Sequence, residues 1–323
     1  MASALVCGLG RVGRRVARQL IDGDVIDNVL ITDRNAKRTD QLASTFGPSV
    51  TVVSWPPHID AIRDVDVVAT ALRADHDLVI GEQAIRAGVR FVSASDHPDS
   101  IAGMHALRQR AIASGVTMIA GCGLAPGCSD ILAAHASVLF DTVDEVKIAR
   151  AGAAGKGSIA AVRDQRRDIP AVWRQGHWRE ASKLIEQVWF PEPIGATECQ
   201  VVRGANDFVA EHFGPGTSVT TLWAEAKSAS WMHRNDEGLG AIRVEVWGQR
   251  AGQRDVVVYG LVDRVSHAAG ALLGFVAEQL ASTTADMPSG VFSVGALIDS
   301  ASAMRALTER GVHAAMFEGA PIS

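Results

Sequence analysis

The sequence has little cysteine, and its cysteines are scattered. Among 323 residues there are four, and no two of them form a C-x-x-C pair. Zinc sites and disulfide frameworks need closely or regularly spaced cysteines. We therefore expect no metal site and a reducing compartment, the cytoplasm. The four are Cys7, Cys122, Cys128 and Cys199.

The sequence also lacks a long apolar run and an excess of positive charge. No apolar stretch reaches the roughly 18 residues of a membrane span without a charge or a glycine cluster, and residues 1–7 lack the basic start of a signal peptide. The 31 basic and 36 acidic residues give a formal net charge of -5. We therefore expect neither a membrane nor a nucleic acid as a partner.

The length and hydrophobic content suit two compact domains. The chain is too long for one ordinary domain, and 47% of its residues are hydrophobic. The pattern along the chain predicts a first domain over residues 1–125 and a second over residues 126–265. The C-terminal segment 266–323 is predicted to pack back onto the first domain.

Short apolar runs alternate with amphipathic stretches over residues 3–120. The runs are rich in valine and isoleucine and show little polar alternation, which is typical of strands buried on both faces. Strand and helix repeated in this way predict an α/β fold with a doubly wound parallel sheet. The runs begin at Ala4, Val29, Val50, Val65, Val89 and Val116.

The pattern changes in the second half of the chain, where strands alternate between polar and apolar residues. Residues 241–248 and 255–262, joined by a connection that contains Gly252, predict an antiparallel hairpin. Six of the seven tryptophans also lie in this half. We predict a second α+β domain built on a mixed, largely antiparallel sheet.

A glycine-rich turn follows the first predicted strand and precedes a helix. Gly8 permits the tight turn, Gly10 lets the backbone approach a pyrophosphate, and Gly13 lets the helix pack against the strand. The N-terminus of the helix then offers N–H groups to phosphates. In this context the turn predicts a Rossmann dinucleotide-binding domain. The cofactor-binding residues predicted here are Gly8, Leu9, Gly10, Arg11, Val12 and Gly13.

An acidic residue lies at the expected distance from this turn. Asp33 stands 20 residues beyond Gly13, at the end of the second predicted strand. Its carboxylate can accept hydrogen bonds from the adenosine ribose and would repel a 2′-phosphate, which favours NAD. The adjacent Arg34 can stack on adenine or pair with that phosphate. The predicted cofactor is therefore NAD or NADP, with NAD favoured.

Other strand ends supply further candidate site residues, because ligands of open parallel sheets bind outside the carboxyl ends of the strands. Ala71 and Leu72 follow the fourth strand and Cys122 follows the sixth, so we predict all three beside the cofactor. Asp96 and His97 follow the fifth strand and are candidates for proton transfer. The alternative is that Asp96 caps the next helix and His97 is a surface residue.

Three segments together resemble the saccharopine dehydrogenase-like family, which includes saccharopine reductases, lysine 6-dehydrogenases and carboxynorspermidine dehydrogenases. The segments are 8–13, 87–96 and 121–130. The resemblance implies hydride transfer between NAD(P) and the carbon of an amine or imine, usually on an amino acid. It also implies a homodimer formed through the sheet of the second domain. Ala125 stands where the saccharopine branch commonly has aspartate, which argues against saccharopine itself.

Oxidation of an amino acid also needs a group to hold its carboxylate and a base to take its ammonium proton. Lys156, in the small-residue stretch 151–158, is the predicted carboxylate-binding residue, and a solvated loop lysine is the alternative. Tyr259 is the only tyrosine and lies within a strand, which excludes a catalytic Tyr–Lys pair. Further candidates for the carboxylate are Arg150, Arg163 and Arg203, and those for the base are Glu198, His233 and His267.

Two other functions stay open. One is a dehydrogenase of an alcohol or aldehyde on the same scaffold. The other is a dinucleotide-responsive regulatory protein without catalysis, because the small residues 151–158 replace the usual substrate-loop residues of the family.

Overall fold

The chain forms two compact units in a computed structural model. The first contains residues 1–123 and 269–294, and the second contains the remainder. The structure describes residues 2–153, 155–165, 167–214, 216–224, 239–282 and 287–317, without the side chains of residues 74, 156, 157, 162 and 163.

The first unit alternates strands and helices as predicted. Six of the seven strands of its sheet come from residues 3–120, and they are parallel and hydrogen-bonded in the order β6-β5-β4-β1-β2-β3, the strand order of dinucleotide-binding domains. The elements are β1 (Ser3–Cys7), α1 (Arg11–Asp22), β2 (Asn28–Thr32), α2 (Ala36–Phe46), β3 (Val50–Val52), α3 (Ile59–Arg63), β4 (Val67–Thr70), α4 (Ala74–Ala87), β5 (Arg90–Ser93), α5 (Pro98–Ala106), α6 (Arg108–Ala113) and β6 (Thr117–Ala120), with a 3₁₀ turn at Gly47–Ser49.

Burial explains why the strands of this sheet carry apolar runs rather than alternation. Every residue of β4 and β6 is buried, as is β1 from Ala4 to Cys7. A strand sandwiched between two helical layers has no solvent face, so polar side chains would lose their hydration on either side. On α1 the buried residues Val16, Ala17 and Leu20 form one stripe, and the charged residues of the helix lie outside it.

The second unit is built on the predicted mixed, largely antiparallel sheet. Its strands run in the order β10-β11-β12-β7-β13-β14-β16, and only β12 and β7 form a parallel pair among the strands described. The elements before the last segment are α7 (Cys128–Ser137), β7 (Thr142–Ala151), α8 (Lys156–Gln165), β8 (Ala171–Arg174), β9 (His177–Glu180), β10 (Ile185–Trp189), β11 (Ala196–Val202), α9 (Asn206–Phe213), β12 (Ser218–Ala224), β13 (Leu239–Arg250) and β14 (Gln253–Arg264).

The predicted hairpin is present, with a tighter turn than the sequence indicated. β13 and β14 pair from Leu239 with Arg264 to Arg250 with Gln253, so only Ala251 and Gly252 connect them. Both connecting residues have positive φ, 51° and 78°, which matches the twist of paired strands. Residues 249 and 254 therefore belong to the strands rather than to the loop.

The C-terminal segment is shared between the units. Its elements are α10 (Val265–Ser282), β15 (Gly290–Ser293), α11 (Val294–Leu297), α12 (Ser300–Glu309) and β16 (Ala314–Phe317). β15 adds to the first sheet as a parallel neighbour of β6, whereas β16 pairs with β14 in the second sheet. The sequence predicts that segment 266–323 packs back onto the first domain. In the structure 269–294 groups with the first unit and 295–317 with the second.

All four cysteines are buried and unbonded to one another. Among the described residues, no three histidine, cysteine, aspartate or glutamate side chains are placed to hold a metal ion. The same residues include no helix with the length and apolar character needed to cross a bilayer.

Candidate dinucleotide-binding site

The turn after β1 has a conformation that only glycine accommodates at its first position. Gly8 has φ of 90°, and its N–H donates to the carbonyl of Thr32 at 2.8 Å. A Cβ at Gly8 would lie 2.7 Å from the carbonyl oxygen of Ala71 and 2.8 Å from the Cδ2 of Leu72. Backbone strain and lack of space both exclude a side chain at this position.

The other two glycines of the turn have opposite surroundings. A Cβ at Gly13 would lie 1.8 Å from the carbonyl oxygen of Gly8, so α1 packs directly on the turn. A Cβ at Gly10 would have no atom within 4 Å. The fold therefore requires glycine at position 13, whereas at position 10 glycine leaves open space in front of the helix.

The N-terminus of α1 is suited to an anion. Gly10 is the N-cap residue and contributes no side-chain hydrogen bond, and no acidic residue lies in the first turn. The first N–H groups of a helix have no partner within the helix, and the helix dipole places partial positive charge there. Arg11 and Val12, half-buried, form this first turn beside the open space at Gly10.

Asp33 joins the glycine turn to the end of β2. It is 8% exposed, and its carboxylate accepts hydrogen bonds from the N–H of Leu9 at 2.7 Å and of Asn35 at 2.7 Å. Arg38 adds an ion pair at 3.2 Å. A carboxylate has about four acceptor positions, so these three donors leave capacity for one more. A ribose hydroxyl could occupy it.

Two arginines stand near this carboxylate. Arg34 is exposed and makes no hydrogen bond or ion pair with the described residues. Arg38 lies in the first turns of α2, and sequence reasoning missed it. The sequence does carry a signal for this arginine, because asparagine is a common N-cap residue. In the structure the side chain of Asn35 accepts from the N–H of Arg38, which fixes where the helix starts. Either arginine could serve as a partner for a 2′-phosphate bound beside Asp33.

The predicted residues after β4 and β6 differ in their surroundings. Ala71 and Leu72 pack against Gly8, and the N–H of Ala71 donates to Cys7 at 2.9 Å. They therefore form a wall of the turn, and their contact with a cofactor stays a prediction. Cys122 is fully buried, and its N–H donates to Ser93 at 2.6 Å. Its side chain packs in the interior, and contact between Cys122 and a cofactor stays a prediction.

Asp96 and His97 follow β5. The predicted alternative, in which Asp96 caps the next helix and His97 is a surface residue, names the wrong cap. α5 begins at Pro98, and its N-cap is His97 rather than Asp96. The Nδ1 of His97 accepts from the N–H of Asp99 at 3.2 Å, and the side chain is 21% exposed. Two helices follow, α5 and α6, which meet at Leu107. Asp96 is half-buried.

A buried carboxylate that the sequence did not reveal lies below these strand ends. Asp77 of α4 is fully buried and accepts hydrogen bonds from the hydroxyls of Thr70 and Ser93, and from Ser100 at 3.5 Å. Burial raises the pKa of Asp77 to about 6, and the three hydrogen bonds oppose that rise. The sequence gives no sign of this, because Asp77 stands in a helix among other acids.

The predicted carboxylate-binding residues lie in the second unit and have varied surroundings. Lys156 is the first residue of α8 rather than part of a loop, and its side chain and that of Arg163 lie outside the described part. Arg150 is buried and donates to the carbonyl of Ala125 at 2.6 Å and to Ser158 at 3.3 Å. Arg203 is exposed and lies over the ring of Trp178.

Of the predicted bases, His267 has a partner that would orient it. Its Nδ1 lies 2.6 Å from the carboxylate of Asp263, four residues earlier. A carboxylate in that position fixes the orientation of the imidazole and leaves Nε2 for proton transfer. Glu198 is exposed on β11. His233 lies outside the described residues.

Asp130, in the first turn of α7, is a second buried carboxyl group. Its Oδ1 accepts from Ser129 at 3.1 Å, whereas its Oδ2 is buried and has no hydrogen-bond partner among the described residues. Burial raises the pKa of Asp130 to about 7, against the effect of the Ser129 hydrogen bond. The ionised form is therefore poorly accommodated here.

We expect Asp130→Asn to stabilise the protein at pH 8 but not at pH 4. A folded-state pKa above the unfolded value means that the wild-type protein loses stability as the pH rises from about 4 to about 7. Asparagine carries no charge and escapes that loss, by roughly 1–3 kcal/mol at pH 8. Urea denaturation across this pH range measures the difference. The exposed Asp144→Asn is the control, and equal pH profiles for the two variants would contradict the assignment.

A cavity of about 210 Å³ lies in the second unit, and none of the site residues predicted from the sequence lines it. Its charged lining is largely paired internally, by Lys147 with Glu186 and by Arg174 with Glu145 at 3.5 Å. The lining residues are Glu145, Lys147, Val172, Arg174, Arg179, Glu180, Ala181, Ser182, Lys183, Glu186, Val201 and Thr220.

The sequence matches known dehydrogenases over part of its length. Residues 1–92 match the family model for shikimate/quinate 5-dehydrogenase. The chain is 22% identical over 196 residues to carboxyaminopropylagmatine dehydrogenase of Synechocystis sp.. That alignment covers 56% of this chain and 49% of the relative, so the chain spans about half the length of the curated relative it matches.

Solved structures match over nearly the whole chain. Saccharopine dehydrogenase (L-Glu forming) from Saccharomyces cerevisiae superposes with a TM-score of 0.74 at 13% identity, covering 98% of this chain and 100% of that one. This chain has the fold of saccharopine dehydrogenase. Amine dehydrogenase from Mycobacterium smegmatis superposes with a TM-score of 0.57 at 13% identity, covering 92% and 96% of the two chains. The predicted resemblance to the saccharopine dehydrogenase-like family is thus confirmed for the fold.

Proposed function

We propose that this protein is an NAD(P)-dependent oxidoreductase that transfers a hydride at a C–N bond of an amino acid or a related amine or imine. The observation that carries the proposal is the open space at Gly10 in front of the α1 N-terminus, with Asp33 beside it. The names of the similar proteins, saccharopine, amine and carboxyaminopropylagmatine dehydrogenases, support a nitrogen-bearing substrate.

The residues of the first unit fit a dinucleotide. The N–H groups at the start of α1 would bind the pyrophosphate, with Gly10 allowing its close approach. Asp33 would accept from the adenosine ribose through its remaining acceptor position. When bound, the nicotinamide supplies the hydride acceptor or donor of the reaction.

Residues of the second unit would bind and deprotonate the substrate. We propose that His267, oriented by Asp263 at 2.6 Å, takes the ammonium proton before hydride transfer. Lys156 stays the predicted partner of the substrate carboxylate. Asp96 and His97 stay predictions for proton transfer at the first unit, although the Nδ1 of His97 already accepts from Asp99.

The dinucleotide screen that tests this function uses both oxidised cofactors. Wild-type protein is incubated with NAD⁺ or NADP⁺ and a panel of amino acids, polyamines and hydroxy acids, and absorbance of the reduced nicotinamide is followed. Turnover of a nitrogen-bearing substrate is expected. Turnover confined to hydroxy acids or other alcohols would contradict the C–N assignment.

One observation favours that second candidate, a dehydrogenase of a CH–OH substrate. The match to the shikimate/quinate 5-dehydrogenase model names two hydroxy acids. The match covers residues 1–92, which lie within the first unit, so it concerns the dinucleotide-binding part of the chain rather than the second unit.

We expect Asp33→Asn to shift the cofactor preference toward NADPH. The wild-type carboxylate repels a 2′-phosphate, and its removal leaves Arg34 and Arg38 as unopposed partners for that phosphate. The ratio of the NADPH and NADH dissociation constants should change by roughly tenfold, about 1.4 kcal/mol. Calorimetric titration measures both constants. Asp40→Asn on the exposed side of α2 is the control, and an unchanged ratio in Asp33→Asn would show that Asp33 does not select the cofactor.

We further propose that the protein forms a homodimer and acts in the cytoplasm. The edge strand β10 carries two exposed apolar side chains, Ile185 at 50% and Trp189 at 64% exposure. Apolar side chains on an exposed sheet edge favour association with another chain. Light scattering measures the mass in solution, and a monomeric mass would contradict the dimer.

A further inference from the structure

Asp77 is a carboxylate buried beneath the carboxyl ends of two neighbouring strands. Thr70 is the last residue of β4 and Ser93 is the last residue of β5, and the hydroxyls of both donate to Asp77. Ser100 of α5 is a third donor at 3.5 Å. One side chain of α4 thus connects two strands and a second helix.

Burying this carboxylate is costly, so its presence needs a reason. Asp77 is fully buried, and its donors are three neutral hydroxyls. No cation pairs with it among the residues described. A fully apolar core at this point would avoid the desolvation cost of a carboxylate. The arrangement therefore stabilises a particular conformation of the strand ends at the expense of overall stability.

The strand ends that Asp77 holds lead directly into the candidate dinucleotide site. Beyond Thr70, Ala71 and Leu72 pack against Gly8 of the glycine turn. Beyond Ser93, the chain turns because the Ser93 hydroxyl accepts from the N–H of Ser95 at 3.0 Å. The Ser93 hydroxyl therefore links Asp77 to the segment that carries Asp96 and His97.

We propose that Asp77 is a positioning residue of the dinucleotide site, holding the segments 70–72 and 93–97 in the conformation that receives the nicotinamide half of the cofactor. The inference rests on the proposed function of the first unit. Asp77 is fully buried and acts through Thr70 and Ser93 rather than by contact with the ligand. The ionised carboxylate accepts from all three hydroxyls, whereas a protonated carboxyl group would place a donor among them and lose acceptor capacity.

The charged neighbours of Asp77 set the conditions of the test. On β1, the Cys7 thiol is fully buried, and burial and the charge of Asp77 hold its pKa far above the usual value, so it stays neutral. On α4, Asp75 and His76 lie within two residues of Asp77, on the more exposed side of the helix. Asp96 follows β5, and Asp99 lies in the first turn of α5.

The test compares Asp77→Asn with Asp75→Asn, an exposed acid on the same helix. We expect Asp77→Asn to weaken NADH binding at pH 8 by roughly tenfold. It should be at least as stable as wild type at that pH, because it removes a buried charge whose folded-state pKa is raised. Wild-type affinity should rise as the pH increases through about 6, and that step should be missing from Asp77→Asn. Asp75→Asn should bind like wild type.

Calorimetric binding and urea denaturation at several pH values give both readouts. Equal NADH affinity in wild type and Asp77→Asn, or persistence of the pH step in the variant, would overturn the proposal and leave the proposed function intact. A wild-type protein that binds neither dinucleotide would overturn both. If Asp77→Asn does not fold, Ser93→Ala and Thr70→Val remove the donors without changing charge. Wild-type affinity in both of these would overturn the proposal.

Discussion

Gly10→Ala is expected to weaken NADH binding by roughly 100-fold, about 2.8 kcal/mol, with little change in stability. The new methyl group would meet no protein atom within 4 Å. It would instead occupy the space through which a pyrophosphate approaches the start of α1. An N-cap glycine can be replaced by alanine at a cost of about 1 kcal/mol or less, so the folded structure is retained.

Calorimetric titration with NADH, together with urea denaturation, checks both halves of this expectation. Gly103→Ala in α5 is a matched control, because its added methyl group would lie in ordinary contact with Leu78, 3.4 Å from the nearest atom. Undiminished binding of NADH by Gly10→Ala would show that the pyrophosphate does not lie at this turn.

Gly13→Ala is expected to destabilise the first unit by roughly 3–5 kcal/mol. Its Cβ would lie 1.8 Å from the carbonyl oxygen of Gly8, a backbone atom. Gly8 cannot move to make room, because its own position is fixed by Ala71 and Leu72 and by the hydrogen bond from its N–H to Thr32. The helix must therefore move away from the sheet, which loses the packing of Val16, Ala17 and Leu20.

The free energy of unfolding from urea denaturation measures this loss. Gly103→Ala again serves as the control, since a helical glycine with room for a methyl group gains up to about 1 kcal/mol on replacement by alanine. A Gly13→Ala variant as stable as Gly103→Ala would contradict the packing described at the turn. The variants at Gly10 and Gly13 therefore separate the two roles of the motif, because Gly10 serves binding and Gly13 serves folding.

The glycine turn and the first sheet could be predicted because their signals are local. Gly8, Gly10 and Gly13 lie within six residues, between an apolar strand and an amphipathic helix, and each glycine has a separate steric reason. The buried strands of the first unit likewise carry their pattern within four or five residues. Asp33 could be predicted for the same reason, because it lies at a fixed distance of 20 residues beyond Gly13.

Features that depend on contacts distant in sequence could not be predicted. The role proposed for Asp77 depends on its hydrogen bonds with Ser93, 16 residues away, and with Ser100, 23 residues away. His97 rather than Asp96 caps α5 because Pro98 fixes the first helical residue, a choice of one position that pattern alone does not resolve. The start of α8 at Lys156 was hidden by the small residues before it.

The same limit applies to the second unit. β12 pairs with β7 in parallel across a separation of more than 70 residues, which no local pattern encodes. By contrast, the hairpin of β13 and β14 is local and was predicted. Sequence reasoning therefore reaches further for the dinucleotide-binding part of the chain than for the part that would select a substrate.

We propose above all that the glycine turn of the first unit binds a dinucleotide. Calorimetric titration of wild-type protein with NADH and, separately, with NADPH tests it most directly, with Gly10→Ala titrated in parallel. We predict saturable binding of at least one of the two, tighter for NADH, and strongly reduced in the variant. Binding of neither nucleotide by the wild-type protein would contradict the claim and the function built on it.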